Sequence, residues 1–329
     1  MTSTGTGSGL DDFDRIAGLS QRATALDPSV HTSLELLRQN FDRPSAARVY
    51  DCILGGSHHF GVDREFADRQ LEVMPDLREA MIANRSFLGR AVRYAVSRGI
   101  RQFVDIGSGL PTGGNVHEVA DRHAPGQCRV VYVDNEPVAH AHADVLLAGT
   151  ADTRRHRAVC ADYLEYRTLW RHVRNTGVID PAEPICLLVV AMLHFIAPER
   201  EPEIAMEFYR RQLPPGSLLV VSHGCDELDD PGIQEVVRNY AQTATAAHLR
   251  TRDEIAAFFG DFEFVEPGLV WTPEWGQTDN DQWSGPPARS RYLAGVAHSA
   301  VQHGPGVVDP RAATGSQHPV YLADDRRHV

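Results

Sequence analysis

A short apolar run that ends in an acid and passes straight into paired glycines is the feature that most restricts this chain. It reads Phe103-Val-Asp-Ile-Gly-Ser-Gly-Leu-Pro-Thr112, and a second apolar run, Val130-Val-Tyr-Val, ends in Asp134 followed by Asn135. This is the pattern of a βαβ unit that builds a nucleoside site at the carboxyl ends of parallel strands. Gly107 and Gly109 let the backbone approach a ligand closely, and an acid ending the second strand can accept both ribose hydroxyls.

The loop lacks what a dinucleotide needs. A third glycine would let a helix start close against the strand and aim its amides at a pyrophosphate. Here Gly109 is followed by Leu110-Pro-Thr112, and Gly113 and Gly114 are out of register. Asp105 at the strand end would repel a pyrophosphate and suits a cationic ligand. The amino group and sulfonium centre of S-adenosylmethionine meet that description. A nicotinamide-dependent reductase is opposed on both counts.

The loop resembles motif I of class I S-adenosylmethionine-dependent methyltransferases, and Asp134 resembles their ribose-binding acid. Two longer segments are similar to a narrower group. They are Ser45-Ala-Ala-Arg-Val-Tyr-Asp-Cys-Ile-Leu-Gly-Gly-Ser-His-His-Phe-Gly-Val-Asp-Arg64 and Ile100-Arg-Gln-Phe-Val-Asp-Ile-Gly-Ser-Gly-Leu-Pro-Thr112. Both resemble the actinobacterial S-adenosyl methyltransferase family, formerly domain of unknown function 574, over roughly residues 40 to 298. Arg-Val-Tyr-Asp followed by Leu-Gly-Gly is the family-specific part. Ser57 stands where that family usually has a lysine, which bears on substrate choice.

The resemblance implies a Rossmann-like, doubly wound, mainly parallel seven-stranded sheet closed by an antiparallel hairpin. The residues point the same way. From Ile100 strand-like runs (Gln102–Ile106, Arg129–Asp134, Arg157–Ala161, Ile185–Met192, Ser217–His223) alternate with helical stretches (Val116–His123, Pro137–Gly149, Glu199–Leu213, Ile233–His248). That alternation is the α/β signature. The late runs Phe262–Trp271 and Arg291–Ala297 supply the closing strands. Ahead of the sheet, apolar spacing predicts helices over Ser29–Asn40, from Ser45 to Gly55-Gly56, through Phe66 and Leu71 to Pro75, and over Asp76–Arg98. The organisation expected is a disordered lead over 1–28, a helical layer with a lid over 29–98, the nucleoside-binding domain over 99–298, and a flexible tail over 299–329.

Composition sets the surroundings. A net charge of −12 disfavours nucleic acid and anionic lipid, and no apolar run approaches the roughly 18 residues of a membrane span. Five scattered cysteines without a Cys-x-x-Cys pair fit a reduced cytoplasm and no structural zinc. Cys160 and Cys186 lie in apolar runs, where a thiol packs as a small hydrophobe. The first residues lack the basic start and apolar stretch of a signal peptide.

The expected cofactor contacts are Asp105, Gly107, Gly109 and Thr112 at the amino-acid end, with Asp134 and Asn135 at the ribose and adenosine. Asp162 is matched to the adenine amino group by resemblance, a helix-cap acid being the alternative. Ala191 and His194 end the fourth strand beneath the methyl position. Arg48, Tyr50, Asp51, Gly55, Gly56 and Phe60 form a cluster that a mere helix end does not need, so a lid over cofactor and acceptor is expected. Asn84 and Arg85 join it from the long helix. Tyr50, His58, His59 and His194 are the candidate bases. His58-His59 has no third ligand at metal spacing, so no metal is expected. The acceptor expected is a small molecule, with a non-catalytic protein that binds or senses S-adenosylmethionine or S-adenosylhomocysteine as the alternative. Oligomeric state is not legible.

Overall fold

The computed structural model describes residues 43–110, 113–150, 152–243, 245–277 and 283–299. The lead expected to be disordered over 1–28, the helix expected over 29–40, Thr112 and the tail beyond 299 lie outside the described residues.

Apolar runs become strands β1 (Gln102–Ile106), β2 (Arg129–Asp134), β3 (His156–Cys160), β4 (Ile185–Val190) and β5 (Leu218–Gly224). The short β6 (Glu263–Phe264) and β7 (Val270–Trp271) and the longer β8 (Tyr292–His298) follow. The order is β3-β2-β1-β4-β5-β8-β6, with β7 also on β8. Strands β1 to β5 pair in parallel, and β8 runs antiparallel to β5, β6 and β7. The sheet therefore has the seven expected positions, the last filled by two two-residue strands where the sequence predicts one from Phe262 to Trp271.

Nine α-helices accompany it among the described residues: α1 (Ala46–Ile53), α2 (Gly61–Val73), α3 (Leu77–Ser97), α4 (Val116–His123), α5 (Pro137–Thr150), α6 (Tyr166–Asn175), α7 (Pro202–Gln212), α8 (Pro231–Tyr240) and α9 (Arg252–Ala257). Alternate strand residues feed two cores. Val104, Val131, Leu187 and Leu219 pack on Leu169, Val173, Met206 and Tyr209 of α6 and α7. Phe103, Val130, Leu188 and Val220 pack on Phe87, Ala91 and Val92 of α3. Each of the buried Val, Leu, Met and Phe side chains contributes roughly 1.5–3 kcal/mol by leaving water.

A third core holds the amino-terminal helices together. Val49, Ile53, Phe66 and Met81 meet Ile233 and Val236 of α8. The first turn of α3 belongs to this core through Leu77 and Met81, and its second half to the sheet through Phe87 to Val96. One continuous helix thus fixes the amino-terminal layer relative to the strands.

Four local departures have physical causes. Helix α6 escapes the pattern because Leu169, Trp170 and Val173 form a narrow stripe among Arg167, Arg171, His172 and Arg174; a parallel crossover from β3 to β4 nonetheless requires an element there. The helix expected over Glu199–Leu213 breaks at Glu201, which is left-handed at φ 52, because Pro202 disfavours a helical residue before it. Strand β4 stops at Val190 since Ala191 turns left-handed at φ 53. Cys160 is exposed, unlike buried Cys186, because β3 is an edge strand. None of the described helices is long and apolar enough to cross a membrane.

His156 at the start of β3 is 1% exposed and neither ring nitrogen has a hydrogen-bond partner. Burial, with His117 beside it, lowers its pKa to about 4. The neutral form is the one the fold accepts, so its stability contribution is complete above the unfolded value near 6.5 and declines as pH falls from there towards 4. Urea unfolding between pH 7 and roughly 4.5 is expected to show this decline, and His156→Phe to make the curve flatter.

Candidate functional site

The strand order reverses between β1 and β4, which opens a crevice outside the carboxyl ends of the strands. Backbone makes its floor. The Gly107 N–H donates to the Val133 carbonyl at 2.8 Å, and the Gly109 N–H donates to Asp134 Oδ2 at 2.8 Å. The Glu136 N–H donates to Asp134 Oδ1 at 2.9 Å. Gly107 has φ +73, and a Cβ there would fall 2.2 Å from Met192 Cγ. Only glycine fits between the β1 tip and the residue that follows β4. Ala191 donates its N–H to Ser222 Oγ at 3.0 Å.

A cavity of about 500 Å³ lies over this floor, lined by Asp105, Gly107, Gly109, Asp134, Asn135, Asp162 and Ala191 among others. Asp105 is buried, yet no hydrogen bond or ion pair reaches its carboxylate from the described residues. Burial pushes its pKa up to about 7, nearby Asp134 adds to the rise, and Arg85 opposes it. Burial also raises Asp134, against the three backbone N–H groups that favour its charge. Asp162 Oδ1 accepts from the Leu164 N–H at 2.9 Å, so this acid caps its own turn and faces the cavity as well.

The roof comes from α1 and α3. Ser45 caps α1, its Oγ accepting from the Arg48 N–H at 3.4 Å. Arg48 is 1% exposed. Its Nε donates to Asp63 Oδ2 at 2.7 Å, its Nη1 to Glu136 Oε1 at 2.9 Å, and its Nη2 to the Arg43 carbonyl at 2.7 Å. The Ser45 hydroxyl also donates to Glu136. Asp63 further accepts the N–H groups of Ser45 and Phe60. Phe60 itself is buried, with the Arg48 guanidinium 4.9 Å above its ring. One cation therefore ties α1 to α2 and to the loop that follows β2.

A chain of hydrogen bonds runs beside it. Ser222 Oγ donates to Asn84 Oδ1 at 2.6 Å, Asn84 Nδ2 to the Tyr50 hydroxyl at 3.4 Å, and that hydroxyl to the Met81 carbonyl at 3.2 Å. Tyr50 and Asn84 line the cavity. Burial raises the Tyr50 pKa, so its phenol stays protonated. Arg85, also lining, donates to the Gly113 carbonyl and to Asn115 Oδ1, with no carboxylate partner among the described residues.

The remaining sequence candidates separate. Asp51 Oδ2 accepts from the His58 N–H at 2.9 Å and meets His59 Nδ1 at 2.9 Å. A Cβ on Gly56 would overlap Asp51 Oδ1, and Gly55 is left-handed at φ +84, so the glycine pair ends α1 and seats this acid. His58, His59, Gly55, Gly56 and Phe60 do not line the cavity, whereas His194 does. His194 is buried without a partner at Nδ1, and burial together with Arg250 lowers its pKa to about 3. Among the described residues no cluster of three His, Cys, Asp or Glu can hold a metal. Sequence reasoning passes over Glu136, Asp63, Tyr240 and Tyr292. Glu136 carries a weak signal, two residues beyond Asp134; the tyrosines carry none, because they reach the cavity from α8 and β8.

A family model for S-adenosyl methyltransferases matches residues 35–300. The chain belongs to this family. A crystal structure of a candidate methyltransferase from Thermobifida fusca is 36% identical with a TM-score of 0.73, covering 79% of this chain and 97% of the other. A family 574 protein from Streptomyces avermitilis is 34% identical with a TM-score of 0.71, over 79% and 99%. No curated protein matches the chain. The cofactor of this S-adenosyl methyltransferase family member is S-adenosylmethionine. The site fits it: the buried Asp105 carboxylate, unpartnered among the described residues, suits a cationic group, and it lines the same cavity as Gly107, Gly109 and Asp134.

Removing the roof cation leaves Asp63 buried without its strongest donor. Arg48→Met is expected to cost about 3–5 kcal/mol in denaturant unfolding, the usual penalty for breaking a buried pair from one side. Combining it with Asp63→Leu is expected to recover part of that loss, a coupling that a double-mutant cycle measures.

Proposed function

We propose that this protein transfers the methyl group of S-adenosylmethionine to a small-molecule acceptor enclosed between the strand tips and α1. The observation that carries the reading is Asp105, a buried carboxylate without a partner among the described residues, in the same cavity as Asp134 and the glycine floor. When bound, S-adenosylmethionine supplies an electrophilic methyl carbon on a sulfonium.

The residues divide the work. Asp105 accepts from the cofactor's amino group, and Arg85, whose cation has no acidic partner, receives its carboxylate. Asp134 accepts from Gly109 on one oxygen and from Glu136 on the other, and its remaining acceptor capacity serves the ribose hydroxyls. Asn135 and Asp162 serve the adenosine end. Arg48, Tyr50 and Asn84 hold α1 as a lid, with Asp51, Gly55, Gly56 and Phe60 shaping its hinge. The lid excludes water and aligns the acceptor, a contribution of several kcal/mol to a displacement reaction (roughly 7–11 in the best-oriented cases). His58 and His59 act on the lid's own structure. His194 is the imidazole that faces the acceptor, uncharged at neutral pH.

The Asp105 carboxyl has its pKa raised, so the empty protein keeps that proton until pH passes about 7. A cationic ligand stabilises the ionised form. Cofactor binding is therefore expected to release a proton below pH 7, with affinity rising between roughly pH 5.5 and 8. Titration calorimetry in buffers of different ionisation heat checks this, and Asp105→Asn should abolish the dependence and weaken binding about tenfold or more. Asp134→Ala should weaken binding likewise. Wild-type affinity in both variants would defeat the reading. Label transfer from methyl-labelled cofactor into small-molecule extract distinguishes a transferase from a sensor, which binds without turnover.

A further inference from the structure

We propose that the part of the cavity beyond Met192 receives an uncharged aromatic acceptor bearing a ring hydroxyl, held by His194, Tyr240 and Tyr292. This inference rests on the methyl-transfer reading above and specifies its acceptor.

Polar atoms wait there without partners. His194 Nδ1 is buried and makes no hydrogen bond. Neither the Tyr240 nor the Tyr292 hydroxyl has a hydrogen-bond partner among the described residues, although both residues line the cavity. An unmatched buried atom costs free energy, so a ligand hydroxyl that meets His194 relieves it, while the two tyrosine hydroxyls, open to the cavity, exchange water for the ligand. Burial, and the nearby phenols of Tyr50 and Tyr240, raise the Tyr292 pKa. Burial and Asp63 raise that of Tyr240. All three phenols therefore present neutral O–H groups.

The walls between these atoms are aromatic and aliphatic. The Phe195 and Tyr240 rings lie 5.5 Å apart, His194 and Tyr292 5.7 Å, and Ile233 and Val236 complete the side formed by α8. Tilted and edge-on rings at this spacing accept a further flat ring favourably.

Charge argues against an ionic acceptor. The Arg291 guanidinium is taken by Asp230 and Asp76. Arg250 is buried behind the site, donating to the carbonyls of Leu193 and Ile196 and to His223. It thereby fixes the turn that carries His194. Arg200 stands exposed at the rim, where water screens it. For a cation, the acid on the lid is Asp51, whose Oδ2 serves His58 and His59 and whose Oδ1, though without a hydrogen-bond partner, is sealed from the cavity. In the transfer, the acceptor oxygen bonds to the methyl carbon as the carbon–sulfur bond breaks and its electron pair stays on sulfur. The hydroxyl proton leaves to water at the cavity mouth, while His194, held neutral, only accepts a hydrogen bond from the acceptor.

The test is titration of the protein saturated with S-adenosylhomocysteine, near pH 7, with naphthol, naphthoate and naphthylmethylammonium. Naphthol is expected to bind about tenfold or more tightly than either ion. His194→Phe should cut naphthol affinity by a similar factor while S-adenosylhomocysteine affinity holds, which also shows that the variant folds. Should that variant fail to fold, Tyr240→Phe combined with Tyr292→Phe must lower naphthol affinity instead. A charged probe that binds as well as naphthol, or no naphthol binding to the complex, overturns the proposal. Failure of S-adenosylhomocysteine itself to bind is a separate result and brings down the methyl-transfer reading.

Discussion

A guanidinium enclosed on every side holds this architecture in register. Arg48 reaches Asp63 on α2, Glu136 beyond β2 and the Arg43 carbonyl in one planar fork, a geometry that lysine cannot reproduce. Buried ion pairs add little net stability, because desolvation offsets most of the attraction. Their effect is positional. A roof held by hydrophobic contact alone could slide over Met81 and Ile233, whereas a fork with three acceptors at fixed directions permits one seating. Since the Glu136 N–H also fixes Asp134, the same residue that seats the roof orients the acid at the tip of β2.

Within the cavity thus enclosed, electrostatics are arranged around incomplete satisfaction. Asp105 is removed from water without a compensating donor, which disfavours its ionised form in the empty protein. Further in, His194 is kept neutral by burial and by Arg250, and the phenols of Tyr50, Tyr240 and Tyr292 stay protonated. The cavity therefore grades from ionisable groups at the strand tips to neutral hydrogen-bonding groups beneath α8. Such a gradient matches a donor that is cationic at one end and a partner that carries no charge at the other.

Local sequence and final structure agree wherever one element decides the outcome. The βαβ unit around Gly107 and Gly109, the ends of β1 and β2, and the turn at Gly55 and Gly56 follow from apolar runs and glycine stereochemistry alone. The pattern fails where neighbours decide. Helix α6 is a crossover demanded by the parallel sheet more than by its own three apolar residues, and the break at Glu201 comes from the proline after it. His58 and His59 read as pocket residues because they adjoin a motif, yet both engage Asp51 and neither lines the cavity that Asp51 lines.

By itself the sequence determined the α/β class, the strand tips that bear Asp105 and Asp134, and a ligand other than a dinucleotide. These depend on residue spacing within one βαβ unit, which short-range sterics impose. Tertiary structure alone decided which distant groups share the cavity: Glu136 with Arg48, Ser222 with Asn84, and Tyr240 and Tyr292 with His194. Those meetings join residues far apart in the chain, and only the packing of α3 and α8 across the sheet brings them within hydrogen-bond or ring-contact reach.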